Sequence, residues 1–349
     1  MAPKSMKQWS LPDFNGFDSL KLEEVPVPEC GDDQVLVRLT AASLNYRDLI
    51  ISKAKYPFPT NPGVVPGSDG AGVVEAVGKR VRLFKPGDRV VTLFNQRHLA
   101  GRLTDDMIYN GSLGGNADGT LREYGVFSEH GVLKTPSNLS DVEASTLTCA
   151  GVTAWNALFG MKDRAIKPGD TVLTQGTGGV SLFAVQFAKA AGATVIATTS
   201  SEEKAQRLRK LGADHILNYK ENPNWGEAAK NLTPNKVGVD HVIEVAGPKS
   251  MEQSLAAVRI EGVITIIGFL GGVVAQNEPG FLNALTHQCT IRGLLVGSRL
   301  QFEDMNAAVE SQNIKPIVDE RIFKFDQLKE AYQHMWDQKH FGKVVVKFD

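Results

Sequence analysis

Residues 171 to 199 constrain this chain more than any other stretch. Thr171-Val172-Leu173-Thr174 has the composition of a buried strand, Gln175-Gly176-Thr177-Gly178-Gly179-Val180-Ser181 that of a tight turn, and Leu182 begins a helix. Gly176 permits the sharp turn, and Gly178 leaves out a side chain where a pyrophosphate must approach backbone. The helix that follows directs its free N–H groups and positive dipole end at the anion, with Gly176, Thr177, Gly178, Gly179 and Val180 as the cradle. Ser181 stands where the usual fingerprint has a third glycine, and is small enough for close helix packing. Val180, Phe183, Ala184, Phe187 and Ala191 recur at helical spacing, Gly192-Ala193 ends the helix, and Thr194-Val195-Ile196-Ala197-Thr198 supplies the next strand. A glycine turn in that complete βαβ setting predicts dinucleotide binding.

The end of the second strand selects the dinucleotide. An NAD site places a carboxylate there, on the adenosine ribose, about 20 residues after the turn. This chain has Thr198-Thr199-Ser200-Ser201-Glu202-Glu203-Lys204. Thr199 takes the place of the acid, the hydroxyls of Ser200 and Ser201 are able to donate to a phosphate, and Lys204 brings a positive charge within one helical turn. NADP(H) is the expected cofactor. Ser201 also suits a helix cap with Lys204 solvated on the helix surface, and the two readings are compatible.

With 349 residues the chain has room for two domains, each with its own core. Its 38 Lys and Arg balance 39 Asp and Glu without clustering, which argues against a nucleic-acid or acidic-lipid surface. Cys30, Cys149 and Cys289 are odd in number and far apart, as suits a reducing compartment. The N-terminus lacks the apolar core of a signal peptide and no apolar run is long enough to cross a bilayer, so a cytoplasmic protein is expected.

Before residue 155 the pattern is one of short strands, at Val35–Leu39, Gly72–Gly78 and Arg89–Leu93, and predicts a small barrel. From Lys167 strands alternate with helices, with further strands at His215–Leu217, His241–Val245, Val263–Ile267 and Thr290–Val296, and predict a doubly wound parallel sheet. Lys-Pro-Gly-Asp occurs at 85 to 88 and again at 167 to 170, each time as a turn before an apolar run. Asn95 to Thr120, rich in Gly, Asn and Asp, reads as one long loop.

Gly67-Ser68-Asp69-Gly70-Ala71-Gly72, followed by Lys85-Pro86-Gly87-Asp88-Arg89-Val90 and then by a dinucleotide fold, resembles the medium-chain dehydrogenase/reductases along nearly the whole chain. Ala41-Ala42-Ser43-Leu44-Asn45-Tyr46-Arg47-Asp48, Cys149-Ala150-Gly151-Val152-Thr153-Ala154-Trp155 and His215-Ile216-Leu217-Asn218-Tyr219 look most like its zinc-free quinone-oxidoreductase side. The resemblance implies an α/β protein with a GroES-like β-barrel catalytic domain at 1–155, a Rossmann NADP(H)-binding domain at 156–298, and a C-terminal segment at 299–349 that returns to the catalytic domain. It also implies a homodimer, paired through the apolar strand Thr290–Val296.

By the same resemblance, zinc alcohol dehydrogenases carry a cysteine where this chain has Asn45, a His-Glu pair where it has Ser68-Asp69, and a cysteine at Cys149. A catalytic zinc takes three protein ligands, and this set is one short, so no metal is expected. Cys149 reads as a small buried hydrophobe. Hydride transfer to an enone or quinone suits such a site, since the enolate oxygen needs only hydrogen-bond donors and then a proton. Asn45 matches the family asparagine beside the nicotinamide ribose and is a candidate catalytic group. Tyr56 matches a proton-donating tyrosine of enoyl reductases, or is a loop aromatic packed under Pro57. Thr153, Tyr219, Gly268, Phe269 and Leu270 are implied cofactor contacts, and Lys343 either adds charge there or is solvated. Arg47 and Asp48 are expected to bond between barrel and cofactor domain, and Asp69 to pair with a base. An NADP-dependent alcohol dehydrogenase or carbonyl reductase, or a non-catalytic NADPH-binding protein, are the alternatives.

Overall fold

The computed structural model describes residues 2–272 and 279–348. The chain forms two compact units, one that runs to Val152 and resumes at Gly297, and one made of Thr153–Val296.

In the second unit the alternating strands and helices build the expected parallel sheet. Among the described residues its order is His215–Asn218, Thr194–Thr199, Thr171–Gln175, Val239–Glu244, Val258–Ile266, Thr290–Gly293. Val172, Leu173, Ile196, Val242, Ile243 and Ile264 are all buried, the continuous apolar filling of a sheet covered on both faces. The strand order reverses between Thr171–Gln175 and Val239–Glu244, and sheets of this kind take their ligands at the carboxyl ends of the strands beside that reversal. The last strand is shorter than its apolar run predicts. Pairing stops at Gly293, and Val296 turns to a φ of 51° with its carbonyl accepting from Asn156 Nδ2 at 2.6 Å.

The first unit is organised by Gln34–Ser43, which pairs antiparallel with Asp69–Val77, Tyr124–Ser128 and Lys343–Lys347. The sheet continues from Asp69–Val77 to Arg89–Thr92 and Val132–Lys134, and from Lys343–Lys347 to Val318–Lys324. Val35, Val37, Leu39, Leu49, Tyr332, Val344 and Val346 fill its core. The register decides what meets at one end of this sheet. Ser43 lies opposite Asp69 on one side and Val345 on the other, so Asn45, Asp69 and Lys343 come together from three distant parts of the chain.

Asn95 to Thr120 is not a bare loop. It contains a helix, Asp105–Asn110, whose N-cap Thr104 accepts from the Met107 N–H. Asn95 Nδ2 donates to Met107 O at 2.5 Å, Asn116 Nδ2 to Ile108 O at 2.8 Å, and Asp118 Oδ1 accepts from Val65 N at 3.0 Å. The polar residues that made the segment look unstructured are the ones that satisfy its backbone. Gly119 lies so close to Gly67 that a Cβ there would stand 1.9 Å from the Gly67 carbonyl oxygen. Gly119→Ala should therefore lower stability by about 1–3 kcal/mol, read as a lower urea midpoint with unchanged slope. A midpoint equal to the parent's would show that this contact is not close-packed.

Candidate active site

The polar cluster of the first unit grows from its sheet register. Asn45 follows the Gln34–Ser43 strand and is the N-cap of the helix Tyr46–Ile51, where Asp48 Oδ2 accepts from the Asn45 N–H at 2.8 Å. Asp69, fully buried, accepts from Ser43 Oγ at 3.0 Å, from Ser68 Oγ at 2.7 Å and from Lys343 Nζ at 3.2 Å. The base expected beside Asp69 is thus Lys343. The solvated reading of that lysine is corrected, because Lys343 is buried and its other two protons go to Leu44 O at 2.7 Å and Asn45 Oδ1 at 2.5 Å. All three N–H groups are committed within this unit, which leaves none for a cofactor phosphate.

Arg47 and Asp48 bond inside the first unit. Arg47 Nη1 donates to Leu113 O at 2.8 Å and lies 3.7 Å from Asp48 Oδ1. Its guanidinium sits 4.7 Å from the Phe94 ring and 5.2 Å from that of Tyr56. A planar, weakly hydrated cation is well suited to such a slot between aromatic faces. Tyr56 is half-buried, with its ring 5.3 Å from Phe58, so it packs as a loop aromatic while remaining beside a cation.

Burial governs the titration of this cluster. Loss of hydration, reinforced by Asp69 and opposed by Lys343 and Arg47, pushes the Cys149 thiol up to about 12. Cys149 stays a neutral thiol at physiological pH and is a poor nucleophile. Burial likewise pushes Asp48 up to about 6 against the pull of Arg47. Among the described residues no three His, Cys, Asp or Glu side chains converge as a metal-ligand group.

In the second unit, Gly176 has a φ of 71° and Gly178 is the N-cap of the helix Gly179–Ala190, with Thr177 buried between them and Val180 in the first turn. A Cβ at Gly176 or Gly178 would meet nothing within 4 Å, so the turn leaves open space where a phosphate would approach. Ser181 Oγ donates to Gln175 O at 2.7 Å and ties the helix to the strand in place of a third glycine. Thr199 is buried at the end of its strand, Ser200 is half-buried, and Ser201 caps the next helix by accepting from the Lys204 N–H at 3.3 Å. The Tyr219 N–H bonds Thr199 O at 3.1 Å and places its exposed ring near that edge. Gly268, Phe269 and Leu270 follow the strand Val258–Ile266, and the Leu270 N–H returns to Val245 O at 3.2 Å. Thr153 is buried on the helix Val152–Phe159.

One organising residue was not singled out from the sequence. Glu244, fully buried, accepts from Gln175 Nε2 at 2.7 Å, Ser250 Oγ at 2.6 Å, Ser254 Oγ at 2.5 Å and the Ala246 and Gly247 N–H groups. Gln175 Oε1 in turn accepts from the Val245 and Ala246 N–H groups, so the glycine turn and the loop after Val239–Glu244 share one network. An acid at the end of a buried strand was the available signal.

Residues 31–137 match the family described as alcohol dehydrogenase GroES-like domain, and residues 179–311 the family described as zinc-binding dehydrogenase. The chain is 49% identical over 340 residues to a zinc-type alcohol dehydrogenase-like protein of Schizosaccharomyces pombe, covering 97% of each. It is 31% identical to the chloroplastic NADPH-dependent alkenal/one oxidoreductase of Arabidopsis thaliana, covering 99% of this chain and 80% of that one. A crystal structure of an NAD-dependent alcohol dehydrogenase superposes with a TM-score of 0.87 at 32% identity, over 98% of this chain and 99% of the other.

The raised pKa of Asp48 yields a test. Between the ordinary carboxylate range and about pH 6 the folded state holds this proton more tightly than the unfolded chain, so the associated stability is full at low pH and is lost as pH rises through that window. Asp48→Asn, which still accepts from the Asn45 N–H, should therefore be more stable than the parent at pH 7, by on the order of 2 kcal/mol, and nearly equal to it at pH 4. A difference independent of pH in paired urea titrations would contradict the assignment.

Proposed function

The chain belongs to the medium-chain dehydrogenase/reductase superfamily, and from that premise we propose that it is an NADPH-dependent, zinc-independent oxidoreductase that reduces a conjugated carbonyl, an enone or a quinone. The observation that carries this reading is the buried Lys343 between Asn45 and Asp69, two of the positions that resemble zinc-ligand sites. A divalent cation placed there would face an ammonium and a carboxylate already bonded to Lys343 and two serines. Those donors do not fit zinc. The glycine turn does fit a dinucleotide, because its helix N-terminus and open Cβ positions suit an anion.

A nicotinamide cofactor held by the glycine turn would supply the hydride that reduces the β-carbon of the substrate. Asn45 donates a hydrogen bond to the carbonyl oxygen as negative charge gathers on it. Tyr56 then gives its phenolic proton to the enolate and is reprotonated by water. Ser200, Ser201 and Lys204 would hold a 2′-phosphate, the Ser201 hydroxyl as donor because its oxygen already serves the cap. The name of the Arabidopsis relative supports both the cofactor and the substrate class. Thr290–Gly293, the last strand of its sheet among the described residues, supports a homodimer, and no helix among the described residues is long and apolar enough to cross a membrane.

NADPH oxidation against enones, quinones and aldehydes, with metal content measured on the same sample, tests the reading. Enone or quinone turnover without stoichiometric zinc is expected, while turnover of aldehydes alone would favour the carbonyl-reductase alternative. Lys204→Ala should weaken NADPH about 10- to 100-fold and leave NADH nearly unchanged in fluorescence titrations. Tyr56→Phe should lower enone turnover by roughly 100- to 10,000-fold at unchanged NADPH affinity. A phenylalanine variant as fast as the parent would reduce Tyr56 to a packing residue.

A further inference from the structure

Lys343 also decides which way Asn45 points. An ammonium carries three donors and no acceptor, so every polar atom facing it must be an acceptor. Its three partners are Leu44 O, Asn45 Oδ1 and Asp69 Oδ2, at 2.7, 2.5 and 3.2 Å. Turning the Asn45 amide over would set its N–H groups against the ammonium at the same distance, in a place where only 3% of Lys343 is exposed. Oδ1 is therefore fixed toward Lys343 and Nδ2 away from it, on the side of Ser68. The partner recorded for Nδ2 is Ser68 Oγ at 3.5 Å, at the limit of a hydrogen bond. Ser68 is itself committed as donor to Asp69 Oδ1 at 2.7 Å. Asn45 thus keeps donor capacity for a ligand and has its acceptor occupied, and a charge-assisted bond at Oδ1 polarises the amide so that its N–H groups donate more strongly.

We propose that Lys343 is a positioning residue that holds Asn45 as a donor only, so that its amide meets a substrate oxygen that gains negative charge on hydride transfer, as the oxygen of a conjugated carbonyl or quinone does. This rests on the assignment of Asn45 to the substrate oxygen. Asp69, with Ser43 and Ser68, is the anchor that keeps the ammonium in place, and its carboxylate balances the buried charge.

A double-mutant cycle on the full chain separates positioning from mere structure. Lys343→Met is combined with Asp69→Asn so that no buried charge is stranded, and the pair is measured with and without Asn45→Ala. The pair should lower enone kcat about 10- to 100-fold with NADPH affinity within about twofold of the parent, and should add almost nothing once Asn45 is alanine. Equal fractional losses in both backgrounds would overturn the proposal. If the pair does not fold, Asn45→Asp decides: it still offers Lys343 an acceptor but has no donor, so it should stay folded and lose turnover, and near-parent activity would overturn the proposal. A parent that reduces aldehydes and not enones refutes the enone reading alone, and the cycle is then run with the aldehyde. Calorimetric binding of cinnamamide, a conjugated carbonyl that resists hydride, reads the same contact without turnover: affinity should fall in Asn45→Asp, and unchanged affinity would overturn the proposal.

Discussion

The buried contact of Lys343 with Asp69 and Asn45 is the constraint on which the first unit's chemistry depends. A lysine with its ammonium removed from water is costly to hold unless every N–H has an acceptor and the charge has a counterion. Both conditions are met by residues far apart in the chain, and both require the strand register that sets Ser43 opposite Asp69 and Val345. The sheet and the polar cluster are therefore mutually dependent: a slip of one residue would turn these side chains to the other face. Arg47 and Asp48 add a second buried pair next to the first, and the proximity of like charges is part of what keeps Cys149 and Asp48 from ionising easily.

The second unit solves a different problem with similar means. A glycine turn able to receive a phosphate lacks the side chains that would hold it rigid, so its shape must be enforced from outside. Glu244 and Gln175 do this, joining the backbone of Val245–Gly247 to the strand that leads into Gly176. Ser250 and Ser254, one turn apart on the helix Pro248–Ala257, satisfy the same carboxylate. A buried acid with five donors is rigid as well as stable, which is what a preorganised anion cradle needs.

The relatives include one named a zinc-type alcohol dehydrogenase-like protein and one named an NADPH-dependent alkenal/one oxidoreductase. In this chain the positive charge near Asn45 comes from a lysine fixed by three bonds. Such a cation cannot accept a substrate oxygen as a ligand. On the proposed reading it acts through the amide it holds, which suits an oxygen that gains charge gradually better than an alkoxide that must be held outright.

Much of the fold was legible because periodicity and turn chemistry are local. The strand, glycine turn and helix at 171–190, the alternating pattern after Lys167 and the short strands before residue 155 all follow from spacing. The Asn95 to Thr120 segment was misread because Asn and Asp make the same composition whether they face water or bond the backbone, and only the packed structure places Asn95 and Asn116 against Met107 and Ile108. The sequence by itself determined the strand, glycine turn and helix of a dinucleotide fold, and that Asn45, Ser68, Asp69 and Thr199 stand where the resemblance expects other residue types. Only the tertiary structure decided the partner of Asp69, the burial of Lys343 and the direction of the Asn45 amide, because those depend on strands separated by nearly the whole chain and on the requirement that a buried cation find its acceptors wherever the sheet register puts them.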